Sequence, residues 1–165
     1  MAAKLSICQI KVQSVRESQS TYYVRDPSDV KIVWDNEITK SAIFEPEKEM
    51  FFVLMTNIRH RIINYNLVSM GSLDNCFVSP REVFRPAIAS AAHSIILLHN
   101  HPSGDTSPSC EDISITQKLV EAGKLLGVPV LDHCIMSSLV NNIECSYDSD
   151  FNQCLSLRES GMVIF

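Results

Sequence analysis

Apolar residues along the chain fall into runs of two periods. Residues 5–15 (Leu5 to Val15) alternate loosely and predict a strand. Asp26-Pro27-Ser28 opens a short helical stretch to about Trp34. Phe51-Phe52-Val53-Leu54-Met55 is a dense apolar run, as expected of a strand buried on both faces. Asn57 to His60 is polar and turn-like, and Arg61 to Ser69 completes a hairpin. Ser79-Pro80 places a capping serine and a proline at a helix start, and the pattern carries that helix to about Ala92. Ser94-Ile95-Ile96-Leu97-Leu98 is too apolar for an edge strand and leads straight into His99. From Ser109 to Leu126, Ile113, Thr116, Leu119, Val120, Gly123 and Leu126 recur at helical spacing, and Gly127 ends the helix. Val128 to Met136 predicts a further strand, residues 137–153 an inserted polar loop, and Cys154 to Phe165 a short closing segment. A hairpin followed by alternating strands and helices implies an α/β sandwich around a mixed sheet.

The 165 residues suit one domain spanning the whole chain, with residues 1–48 as its N-terminal strand and short helix. With 45% apolar and 20% charged residues, a core of useful size is available. The net charge of −5 argues against a protein whose main task is gripping nucleic-acid backbone. There is no apolar run of membrane-spanning length and no secretory pattern at Met1 to Leu5, so a cytoplasmic protein is expected. The six cysteines are scattered without a C-x-x-C pair, which reads as reduced thiols; Cys110 is not taken as a ligand.

The chemistry concentrates at residues 99–112. His99 and His101 stand two apart at a strand end, so their imidazoles point the same way. Pro102 stops the strand and Ser103-Gly104-Asp105 turns the chain. The next helix returns Asp112, on the line 112–116–119–123 close to its apolar stripe. Two imidazoles and one carboxylate leave the fourth position of a tetrahedral Zn2+ open, as catalytic sites do. Imidazole favours zinc, one per chain, without excluding iron or another transition metal. A nearby carboxylate must serve as base, and Glu49, abutting the Met50–Met55 run, is preferred over Glu45 and Glu47. Ser109 and Asp112 also fit a helix capping box, and Ser107-Pro108 could supply the cap instead. His133 reads either as a partner orienting a zinc ligand or as a buried, hydrogen-bonded core histidine, the second preferred. Arg81 and Glu82 read as a structural pair, Trp34 with Tyr22 and Tyr23 as core packing, and His60 and His93 as exposed.

The array His99-Asn100-His101, seven residues, Ser109, two residues, Asp112 resembles the JAMM motif of JAB/MPN metalloproteases. The longer text from His99 to Asp105, with Ser79-Pro80-Arg81-Glu82-Val83-Phe84, Leu131-Asp132-His133 and Leu155 to Gly161, resembles the bacterial RadC-like branch. The resemblance implies a cytidine-deaminase-like α/β fold and zinc on His99, His101 and Asp112. It implies Glu49 as general acid/base, Ser109 as oxyanion stabiliser and water attack on an amide or isopeptide carbonyl. Longer RadC-like proteins carry an N-terminal helix-hairpin-helix region, for which this chain starts too late. A protein or peptide substrate is the expected partner. The alternatives are a DNA-repair-associated accessory protein, which the acidic balance disfavours, and a zinc-scaffold binding module, which the complete residue set disfavours.

Overall fold

The computed structural model describes residues 21–71, 78–138 and 154–165. The expected strand 5–15 and residues 139–153 of the expected loop lie outside them. Helix α1 (Pro27–Val33) starts where Asp26 caps it, its carboxylate accepting from the Ser28 and Asp29 N–H groups. It runs on into a five-residue π-helical turn, Trp34–Ile38. Then follow β1 (Met50–Thr56), β2 (Ile62–Met70), α2 (Pro80–Ala89), β3 (Ser94–His101), α3 (Cys110–Leu126), β4 (Val130–Ser137) and β5 (Cys154–Ser156).

The strands form one mixed sheet in the order β2-β1-β3-β4-β5. β1 is antiparallel to both neighbours, β3 and β4 are parallel, and β5 returns antiparallel to β4. The parallel pair requires a crossover, which α3 supplies. β1 and β3 are interior strands, as their apolar runs predicted. Their alternate residues feed two cores. Phe51, Val53, Met55, Ile95 and Leu97 pack with Val83, Phe84, Leu119 and Val120 of α2 and α3. Met50, Phe52, Leu54, Ile96 and Leu98 pack with Val30, Val33, Trp34 and Ile38 on the opposite face. Each large side chain fully buried this way, such as Phe52 or Leu98, contributes about 1.5–3 kcal/mol.

The end of α2, the bonding at its N-cap and the start of β4 differ from the sequence expectation. α2 stops at Ala89 rather than Ala92 because Ala91 turns left-handed (φ 50°). The Ala91 and Ala92 N–H groups then reach back to the carbonyls of Ile88 and Ala87. No glycine marks that stop. Ser79 stands at the N-cap of α2 but makes no capping side-chain bond. β4 begins at Val130 because the Val128 N–H is used to close α3 on the Gly123 carbonyl and Pro129 has no N–H.

Candidate metal centre

β3 carries its alternation through to the ligands. His99 continues the face of Ile95 and Leu97, and His101 follows it. Their Nε2 atoms lie 2.9 Å apart. Ser109 caps α3, which settles the frame left open between Ser107-Pro108 and Ser109. The capping box leaves Asp112 in reach of both histidines. Oδ2 of Asp112 accepts from the Ser109 N–H (2.8 Å) and hydroxyl (2.7 Å), while the Asp112 N–H donates to Ser109 Oγ (3.1 Å). Oδ1 remains on the histidine side, 3.3 Å from His99 Nε2, and Oδ2 is 3.6 Å from His101 Nε2.

These separations test the fit to a metal. Ligand atoms about 2.05 Å from a tetrahedral zinc lie about 3.3 Å from one another. The His99–His101 and His99–Asp112 Oδ1 separations, 2.9 and 3.3 Å, lie close to that edge, and one ligand atom from each of the three residues falls within 4.8 Å of the others. His99, His101 and Asp112 form the metal-capable cluster among the described residues. The donor chemistry agrees. His101 Nδ1 lies 2.6 Å from the Asp105 carbonyl, which can only accept, so Nδ1 holds the proton. In the neutral ring, Nε2 then presents a lone pair to the cluster.

Burial sets the charges. Completely buried His99 is lowered to about 4, mainly by desolvation, and Asp112 only partly opposes this. His101 is raised, chiefly by the Asp112 carboxylate beside it. Burial pushes the Asp112 carboxyl upward, but the His101 and His99 imidazoles and the hydrogen bonds from Ser109 outweigh it and hold the group well below its ordinary value. Asp112 is therefore a carboxylate throughout the physiological range.

Glu49, just ahead of β1, is half-buried and within electrostatic reach of Asp112 and His101. Its carboxyl is raised, first by burial, then by the negative charge of Asp112. Of its competitors, Glu45 is exposed and pairs with Lys48 at 2.6 Å, and Glu47 is exposed. Cys110 is exposed and outside the cluster.

Sequence reasoning missed two contributors. Asn100, between the two histidines, points to the other face and is wholly buried. Its Oδ1 accepts from the Met50 N–H (3.0 Å), and its Nδ2 donates to the Lys48 carbonyl (2.9 Å) and to Ser138 Oγ (2.5 Å). It thus grips the backbone on both sides of Glu49. Strand alternation separates Asn100 from the ligands, but nothing in the pattern names its partners. Thr116 was read only as part of the helix stripe. Its position four after Asp112 was the available signal, since a threonine there can bond the carbonyl one turn back. His133 is completely buried and hydrogen-bonded, as its preferred reading had it, and its partner at 2.7 Å is His99 Nδ1.

Elsewhere, Trp34 packs in the core as expected, while Tyr23 is exposed. Glu82 pairs with Arg85 at 3.1 Å rather than with Arg81. A cavity of about 550 Å³ near the hairpin turn, lined among others by Arg25, Arg59, Asp132 and Arg158, contains none of the cluster. Its arginines are matched in number by Asp26, Asp132 and Glu159.

A mixed sheet that delivers two histidines from one strand, and a carboxylate from the first turn of the next helix, defines a JAB-type domain. The chain belongs to the RadC-like JAB domain family, which it matches over residues 24–159. It is 55% identical over 89 residues to a UPF0758 protein of Caldanaerobacter subterraneus, covering 54% of this chain and 38% of the relative. It is 42% identical over 125 residues to a UPF0758 protein of Finegoldia magna (76% and 54% covered). A UPF0758 protein of Alkaliphilus metalliredigens is 47% identical over 119 residues (72% and 49%). The matched part spans about half the length of these relatives or less, and their names state no activity. Among the described residues no helix is long and apolar enough to cross a membrane.

Proposed function

We propose that this chain is a JAMM-type zinc metallopeptidase or isopeptidase-like hydrolase acting on a protein or peptide. The observation that carries the reading is the convergence of His99 Nε2, His101 Nε2 and an Asp112 carboxylate, with the raised carboxyl of Glu49 within electrostatic reach of Asp112 and His101. His99, His101 and Asp112 would hold the ion, and zinc suits an imidazole-rich set. When bound, zinc supplies Lewis acidity to a carbonyl and lowers the pKa of water.

The chain's own groups do the rest. Glu49 accepts a proton as water adds to the amide carbon, then returns it to the nitrogen as the C–N bond breaks, leaving a carboxylate and an amine. A carboxyl raised from its ordinary value holds a proton more readily than a free one, as suits a group that both takes and gives a proton. Ser109 has one hydroxyl proton and donates it to Asp112 Oδ2. Stabilising a substrate oxyanion requires that hydroxyl to turn from Asp112 toward the carbonyl oxygen.

The test combines metal analysis with a proteome-wide cleavage screen of the parent, Glu49→Gln and His99→Ala. The parent and Glu49→Gln should bind about one zinc per chain, and His99→Ala should lose it. Cleavage should fall about 10²–10⁴-fold in Glu49→Gln. Parent-like cleavage by that variant would remove Glu49 from the chemistry, and a zinc-free parent would remove the metal reading.

A further inference from the structure

The ligand histidine His99 has a continuous set of partners leading back to the other ligand element. His99 Nδ1 is 2.7 Å from His133 Nε2. His133 Nδ1 is 2.6 Å from Thr116 Oγ1, and Thr116 Oγ1 is 2.5 Å from the carbonyl oxygen of Asp112. The last contact fixes the direction of the whole series. A carbonyl has no hydrogen, so Thr116 must donate there, and its single proton is then spent. At its other contact Thr116 must accept, so His133 carries its proton on Nδ1. Neutral His133 then has a bare Nε2, which must accept from His99 Nδ1–H. Neutral His99 is left with a bare Nε2, the atom turned toward His101 and Asp112. Both rings are completely buried, and a neutral imidazole has one proton to place.

We propose that Thr116 and His133 are positioning residues that select the metal-binding tautomer of His99 and tie its ring to the backbone of Asp112. The proposal rests on the metal reading above. The closed circuit runs from one ligand, His99, through β4 and α3 to the other, Asp112. It orients both without either added residue touching the ion. The reverse order would place a hydrogen on His99 Nε2, blocking that atom as a ligand. It would also set the lone pairs of Thr116 and the Asp112 carbonyl against each other.

Long-range 1H–15N correlation spectra of the full chain, metal-free and zinc-loaded, report which ring nitrogen holds the proton. The expected result is a proton on Nδ1 of both His99 and His133. A proton on His133 Nε2 overturns the proposal, and this measurement needs no variant. Chelator competition then compares zinc affinity. Thr116→Val should weaken it about 10–100-fold, and Thr116→Ser, which keeps the hydroxyl, should restore it. Parent-like affinity in Thr116→Val also overturns the proposal. If the parent takes up no zinc, the metallopeptidase reading fails, while the metal-free spectra still decide the proton order.

Discussion

Replacing Asn100 by alanine removes a buried amide that holds together three separate parts of the chain. The lost bonds are those to the Met50 N–H, the Lys48 carbonyl and Ser138 Oγ. Met50 has no exposure and Ser138 has 7%, so neither gains water easily. Each polar group left unpaired in such surroundings costs about 1–2 kcal/mol. Lys48 is half-exposed, and its carbonyl can be rehydrated at little cost. A loss of about 3 kcal/mol follows from the two buried partners. In a domain of this size it corresponds to a fall in Tm of about 6–12 °C. Urea denaturation of metal-free parent and variant, with m unchanged, measures it. Asn100→Asp is the sharper comparison. It keeps the acceptor for Met50 but sets a carboxylate oxygen against the Lys48 carbonyl, so it should not recover stability. A loss below about 1 kcal/mol in Asn100→Ala would show that the network is not worth what buried hydrogen bonds ordinarily are, and the grip on the Glu49 backbone would go with it.

Gly123→Ala places a Cβ 2.7 Å from the Val128 carbonyl and 3.3 Å from the Phe84 ring. The strain should exceed the gain in helix propensity of about 1 kcal/mol, giving a net loss of about 1–2 kcal/mol in the same denaturation assay. Glu49→Gln should stabilise the metal-free protein near neutral pH. The folded state raises the Glu49 carboxyl above 4.5, so it binds the proton more tightly than the unfolded chain, and parent stability falls as pH rises through that interval. The advantage of the variant should therefore vanish below about pH 4.5, and a constant advantage across pH would contradict the assigned cause. Added zinc at 100 times its Kd should raise parent stability by about 2.7 kcal/mol, reversed by chelator and absent in His99→Ala; scanning calorimetry reads both.

The local sequence determined a good deal of this protein. A five-residue apolar run without alternation marked β1 as covered on both faces, because a strand with one face in water alternates apolar and polar residues. Two histidines at i and i+2 on a strand had to share a face, and a serine three before an aspartate at a helix start could form a capping box, with Ser107-Pro108 as the rival cap. These are short-range consequences of backbone geometry. The choice of Glu49 over Glu45 and Glu47 was legible only as a preference. Tertiary structure half-buries Glu49 within electrostatic reach of Asp112 and leaves Glu45 and Glu47 exposed, a difference that depends on how β1 packs in the sheet. The same holds for His133 and Thr116, which lie 34 and 17 residues from the ligand histidine and from each other respectively. Asn100 reaches partners up to 52 residues away. Periodicity fixes which face a side chain occupies but not which distant donor or acceptor meets it there. The sequence therefore named the residues of the candidate cluster, and the fold alone chose the buried groups that contact it.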